Sequence, residues 1–248
     1  MPTTDLISPF VVSCAGGLTL NKDVFSMAPG EALILQNFEP DIKGGYRRVG
    51  GTALYNTTIV PEGSTHTGKT IDCSIVFNGQ IIVARGGDIH RGTTSGSWTS
   101  LTTSLGTATR AYDFEKFNFD GTDKIIIATG HSPAQIINSS FAVDVVNATG
   151  GGTAPTNPKF VKVFQNHMFY AGATNSQEVI FSVPFAEDNF TSASGAGSFR
   201  VDSTVVGLKV FRNELIVFCE DRIYKLTGTS SSNFAVQEVT RNIGCRDG

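Results

Sequence analysis

Four times along the chain, an apolar strand closing on phenylalanine meets a short polar turn and then a second apolar strand. The stretches are IVFNGQIIVA around Phe77, FNFDGTDKIIIA around Phe119, KVFQNHMFYA around Phe164 and KVFRNELIVF around Phe211. These phenylalanines lie 42, 45 and 47 residues apart. Each stretch reads as a β-hairpin. Asn78-Gly79 and Asp120-Gly121 are strong turn dipeptides, because both residues take positive φ cheaply. Gln165-Asn166 and Arg212-Asn213 are weaker versions that rest on the tolerance of Asn for left-handed backbone. A third segment follows each hairpin (DIHRGT, AQIINS, EVIFSV, DRIYKLT), and then a fourth (SWTSLT, FAVDVV, SFRVDS, FAVQEVT).

Four strands recurring every 40–50 residues are the pattern of propeller blades. A lone four-stranded sheet has two faces and cannot bury both, so stacked sheets must cover each other. The second strand of each unit is almost wholly apolar, as expected of a strand covered on both faces. The predicted fold is therefore all-β: a propeller-like array of four-stranded antiparallel sheets over 66–248, with an irregular N-terminal docking segment over 1–65. An ordinary β-sandwich with coincidental hairpins is the alternative. Four blades sit at the low end of known rings. The closing RNIGCRDG has no apolar pattern of its own, so the array is expected to continue beyond Gly248.

Residues 1–65 stand outside the repeat. APGEALILQNFEP reads either as a short helix opened by Pro29 and ended near Pro40 or as an extended strand, with helix preferred. GGYRRVGGTALYNTT reads as a glycine turn followed by strands, since Gly44-Gly45 and Gly50-Gly51 permit bends on both sides of YRRV.

Composition narrows the function classes. The chain has 248 residues, of which 40% are hydrophobic and 17% charged, a globular balance. Its net charge of −3 argues against gripping nucleic acid by the phosphates. Cys14, Cys73, Cys219 and Cys245 are dispersed without a C-x-x-C pair and read as reduced thiols. His66, His90, His131 and His167 are equally scattered, which does not suit a zinc site. There is no apolar run long enough for a membrane helix. The VVSC before Gly16 lacks the basic flank and apolar core of an export signal.

DGTD at Asp120–Asp123 lacks the later ligands of a calcium loop and reads as a plain turn. His131 beside Ser132 is a weak nucleophile signal, because triads assemble in space. Glu187-Asp188 and Glu220-Asp221 read as solvated loop acids. Trp98, Tyr112 and Tyr224 suit inter-blade packing, with sugar stacking as the sharper alternative.

The stretch GEALILQNFEPDIKGGYRRVGG remains. Tyr46, Arg47 and Arg48 fall on a glycine-bracketed turn and Phe38, Glu39 and Asp41 precede it, so one segment carries both charge signs and aromatics. Such a segment suits docking between identical subunits of a ring, or is a solvated hairpin tip with surface arginines.

Gly16–Gly51 resembles the N-terminal segment of the tail nozzle proteins of short-tailed bacteriophages, also called tail tubular protein B. The shared elements are Gly16-Gly17-Leu18, Pro29-Gly30-Glu31-Ala32, Asn37-Phe38 and Gly44-Gly45-Tyr46-Arg47-Arg48. NIGC at Asn242–Cys245 also resembles an internal point of such proteins, which are usually much longer. The resemblance implies a structural virion protein without catalytic activity or cofactor, assembled in the bacterial cytoplasm. It implies a ring, a hexamer by analogy, below the portal and adaptor proteins and near the tail fibres. Double-stranded DNA would pass through its channel, and a mildly acidic wall would keep that DNA from sticking. The six residues Phe38, Glu39, Asp41, Tyr46, Arg47 and Arg48 would form the subunit or adaptor interface. The alternative is a monomeric propeller that binds or cleaves carbohydrate at a host surface.

Overall fold

A computed structural model describes residues 16–40, 46–51, 53–63, 70–103, 105 and 112–246. The chain divides into two compact units, Met1–Leu54 and Tyr55–Gly248.

In the first unit, β1 (Gly17–Leu18) pairs in parallel with β2 (Glu31–Ala32), and β3 (Phe38–Pro40) pairs with β4 (Tyr46–Arg48) as a hairpin. The expected helix over APGEALILQNFEP is not formed. The regular helical element here is a single 3-10 turn, Val24–Ser26, capped by the Asp23 side chain. The physical reason is local. Glu31 accepts from the Ala28 backbone N–H at 2.9 Å and from Lys22 at 2.7 Å, and so fixes a turn where the helix would have begun. Asn37 then sits at φ 61, a left-handed position that breaks any continuing helix.

The second unit is built from four meanders, each a four-stranded antiparallel sheet in sequence order. The first sheet holds β5 (Cys73–Phe77), β6 (Gln80–Arg85), β7 (Asp88–Gly92) and β8 (Thr99–Thr102). The second holds β9 (Asp113–Phe119), β10 (Thr122–Ala128), β11 (Gln135–Ile137) and β12 (Val143–Val145). The third holds β13 (Phe160–Phe164), β14 (His167–Ala171), β15 (Glu178–Phe181) and β16 (Gly197–Arg200). The fourth holds β17 (Val205–Phe211), β18 (Glu214–Cys219), β19 (Arg222–Thr227) and β20 (Ala235–Arg241). All four hairpins, with their third and fourth strands, lie where the sequence pattern placed them.

Consecutive sheets meet through their first strands, β5 beside β9, β9 beside β13 and β13 beside β17. Among the described residues no comparable packing joins β17 back to β5. Three apolar cores fill the three junctions. Phe77, Ile82 and Ile89 meet Ile125, Ile127 and Ile137; Phe119, Ile126 and Ile136 meet Val161, Met168 and Tyr170; Phe164, Phe169 and Phe181 meet Leu208, Leu215, Val217 and Leu226. The second strands explain their composition: Ile82 to Arg85, Ile125 to Ala128 and the whole of β14 are buried, on both faces of their sheets. In β18 burial alternates instead, because only one face of the fourth sheet is covered by another sheet.

Candidate functional site

The residues expected to dock a neighbour fall in the first unit. The register of its hairpin sets Phe38 opposite Arg48, Glu39 opposite Arg47 and Pro40 opposite Tyr46. Asp41, Gly44 and Gly45 lie outside the described residues. Arg47 Nε donates to Glu39 Oε1 at 2.7 Å, and both side chains remain largely in solvent. Such an exposed pair is worth at most about 1 kcal/mol. Arg47 and Glu39 therefore engage each other within one hairpin. Arg48 has no carboxylate partner among the described residues; with Asn37, Val49, Gly50 and Gly51 it lines a depression of about 640 Å³. The Tyr46 hydroxyl lies against Gly17, where an added Cβ would approach it to 3.0 Å, so this tyrosine braces the hairpin on β1. Glu31 is held below its ordinary pKa, first by its hydrogen bond from Lys22 and then by the Ala28 N–H.

Around the hairpin, apolar side chains face water. Phe25 is 97% exposed, Ile34 82% and Leu20 77%, and Leu18, Val24, Leu33, Phe38 and Val49 are also exposed. Thr19 is the one buried residue among those described in this unit. A soluble monomer rarely presents so many apolar groups together without a partner for them.

The other candidates resolve into structural roles. A cleft of about 480 Å³ lies where the second and third sheets meet, and its lining includes Lys124, Asn138, Asp144, Glu187 and Asp188. Lys124 is ion-paired with Glu187. Asp188 accepts the backbone N–H groups of Asn147, Ala148 and Thr149 at 2.8, 2.6 and 3.0 Å, as well as the Thr149 hydroxyl. These acids hold one sheet's loop to the next, and among the described residues no aromatic ring lines the cleft. Tyr224 is buried in the core between the third and fourth sheets and Tyr112 packs against that between the first and second. Ser132 bonds to Thr129 at 2.9 Å, as part of a turn. Asp123 is held by Lys116 at 3.0 Å and Asn118 at 2.9 Å within its own hairpin. Burial pushes the Cys219 thiol up to about 11, the nearby Asp221 charge adding to it, which suits an inert core cysteine.

One recurrent feature escaped the hairpin-based reading. An aromatic follows each anchor phenylalanine at nearly constant spacing: Trp98 by 21 residues, Phe141 by 22, Phe185 by 21 and Phe234 by 23. It stands between the third and fourth strands, and in the second, third and fourth sheets it reaches the preceding sheet. Phe141 contacts Phe77 edge-on at 5.8 Å, Phe185 stacks on Phe117 at 6.1 Å, and Phe234 meets Phe164 at 6.1 Å. The Phe-Ala pairs at 141, 185 and 234 were the legible signal.

No protein-family model matches the chain, and no curated protein does. Solved structures do match in shape. The extracellular domain of BT4673 from B. thetaiotaomicron superposes with a TM-score of 0.52 at 11% identity, over 74% of this chain and 23% of that one. A second structure of that domain gives 0.50 at 12% identity, with the same coverages. The Neurospora crassa Pan2 WD40 domain gives 0.47 at 12% identity, over 69% of this chain and 52% of that one. The chain thus spans about a quarter of the first relatives' length. At such identities the likeness concerns fold alone, and the fold is propeller-like and all-β.

Proposed function

We propose that this chain is a structural subunit of a bacteriophage tail, a nozzle or tail-tube ring component lining part of the DNA ejection channel below portal and adaptor. The observation that carries the reading is the first unit, with Phe25, Ile34 and Leu20 in water and no buried apolar residue among those described. A segment of this kind gains its stability from a neighbouring surface. The resemblance of Gly16–Gly51 to nozzle proteins supplies the kind of neighbour, another subunit or the adaptor. The net charge of −3 suits a wall that duplex DNA slides past. Under this reading the sheet array is scaffold, and its clefts need no substrate.

The test is the native mass of the purified full chain, with negative-stain microscopy. A closed ring is expected, and Phe25→Asp combined with Ile34→Asp should leave folded monomers. A wild-type monomer that binds glycans on an array would overturn the proposal in favour of a carbohydrate-binding propeller.

A further inference from the structure

The outer face of the first sheet is covered by the chain itself. Residues Tyr55–Gly63 cross it as a strap. Asn56 Nδ2 donates to the Thr93 and Gly96 carbonyls at 2.9 and 3.1 Å. Trp98 Nε1 donates to the Thr58 carbonyl at 2.8 Å. Arg85 donates to the Val60 carbonyl and reaches Glu62 at 3.2 Å. The strap's end runs so close to the β6–β7 turn that a Cβ on Gly63 would fall 1.9 Å from the Gly86 carbonyl oxygen. Val60 is buried. In the later sheets the equivalent aromatic, Phe141, Phe185 or Phe234, rests on the preceding sheet. Trp98 rests on this strap, which therefore stands in for a preceding blade.

Beneath the strap lies an unexplained group. His90 is 3% exposed, and both its ring nitrogens are buried without a hydrogen-bond partner among the described residues. Its face of the sheet is fixed by register: Ile89 and Ala84 point into the core with the second sheet, so His90 and Val83 point outward. Along β7, His90 lies midway between Asp88, opposite Arg85, and Gly92, on which the Trp98 ring packs. The strap's two anchors, at Val60 and Thr58, thus flank it. A register shift between β7 and β8 also falls at Ile89/His90, a local irregularity of the kind that re-aims a side chain. A buried polar group with no protein partner costs free energy, and in native structures it calls for a reason.

We propose that His90 is an acid-sensitive latch, whose protonation releases the strap Tyr55–Gly63 from the first sheet. A neutral ring is tolerated in this buried place; a charged one would lose its hydration there, a cost that the neighbouring Asp88 carboxylate offsets only in part and the Arg85 guanidinium increases. The charged groups about it, among the described residues, are Arg85 of β6, Asp88 of β7 and Glu62 of the strap, while β8 presents uncharged Ser100. Burial lowers the pKa of His90; Asp88 opposes this and Arg85 adds to it. The sign follows. The closed state is fully favoured above the ordinary value of 6.5. As pH falls below that, the open state takes up the proton first, and the closed-to-open ratio drops by up to about tenfold per pH unit until the lowered pKa is reached.

Trp98 is the chain's single tryptophan and reports on the strap directly. The experiment follows its emission in the full chain from pH 8 to 4, with far-UV circular dichroism alongside. A reversible red shift beginning near pH 6.5, before any loss of strand signal, is expected, and both His90→Leu and His90→Gln should abolish it. His90→Gln keeps the test valid should the leucine variant misfold. Glu62→Gln should retain the transition. The proposal fails if the wild type shows no shift before unfolding, if the shift survives in the His90 variants, or if Glu62→Gln alone removes it.

Discussion

Phe164 and Phe211 hold the same place in successive sheets, yet one is 4% exposed and the other 60%. Each ends the first strand of its sheet and pairs across a two-residue turn, with His167 and Glu214 respectively. Phe164 is covered by the fourth sheet, and no described sheet covers Phe211. Phe164→Ala should therefore cost about 3–5 kcal/mol, the usual loss for a buried aromatic. Phe211→Ala should stay within about 0.5 kcal/mol, as a surface change does. Urea midpoints at constant slope decide the matter, and equal losses would mean that the fourth junction is closed in solution.

The junction between the second and third sheets carries a second, polar fastening. Asp113 accepts the Val161 N–H at 3.0 Å and Glu115 accepts the Val163 N–H at 3.2 Å, while Lys162 pairs with Glu115. Carboxylates of β9 thereby satisfy the inner edge of β13. Asp113→Ala should cost about 1–3 kcal/mol, because Val161 is fully buried and its N–H would lose its acceptor. Asp113→Asn keeps an acceptor and removes a charge. Burial raises the Asp113 pKa above 3.8, outweighing the Val161 N–H and Lys162, which lower it. The charged form is thus disfavoured in the native state: the penalty is absent below about pH 3.8 and complete above the raised value. The Asn variant should accordingly compare better with wild type at pH 7 than at pH 3.5 in parallel denaturant titrations. A constant difference across that range would contradict the argument.

The sheets were legible because their signals are local. Asn78-Gly79 and Asp120-Gly121 take positive φ at both residues, as their chemistry allows, and the strand pattern flanking them needs nothing remote. Phe141 and Phe234 open two of the fourth segments and Phe185 lies between the third and fourth segments of its unit, but their partners lie in another sheet and no periodicity within a strand exposes them. The N-terminal misreading has a different origin. APGEALILQNFEP has helical propensity along much of its length, and a few hydrogen bonds to Glu31 together with one left-handed asparagine override it. The pairing within the hairpin was not legible, since sequence alone does not reveal that Arg47 is engaged by Glu39 while Arg48 has no carboxylate partner among the described residues.

Asp188 concentrates three backbone N–H groups and one hydroxyl on a single carboxylate. It fixes the loop that leaves the second sheet onto the third. Asp188→Ala should cost about 1.5–3 kcal/mol, the range for hydrogen bonds to a charged acceptor. Hydrogen exchange at Asn147, Ala148 and Thr149 should rise well beyond the change in global stability. Unchanged protection at those three amides would assign the loop's order to packing instead.

Arg47 and Arg48 are adjacent and alike in type, but the hairpin separates their roles. Arg47 loses little by remaining where it is, because Glu39 already faces it across the ladder. Arg48 stands opposite Phe38, which is 49% exposed, and, having no carboxylate partner among the described residues, its guanidinium can fork onto a carboxylate of a neighbouring subunit. If the hairpin docks a second copy, Arg48→Ala should weaken self-association by tenfold or more, as removal of one partner of an interfacial charge pair does. Arg47→Ala should change it by less than about fivefold, since an exposed intrachain pair contributes under about 1 kcal/mol. Sedimentation velocity across a concentration series measures both, with thermal melting of the monomer as the control for folding. Equal effects of the two substitutions would remove the hairpin from the interface and leave the exposed Phe25 and Ile34 surface as the remaining contact to test.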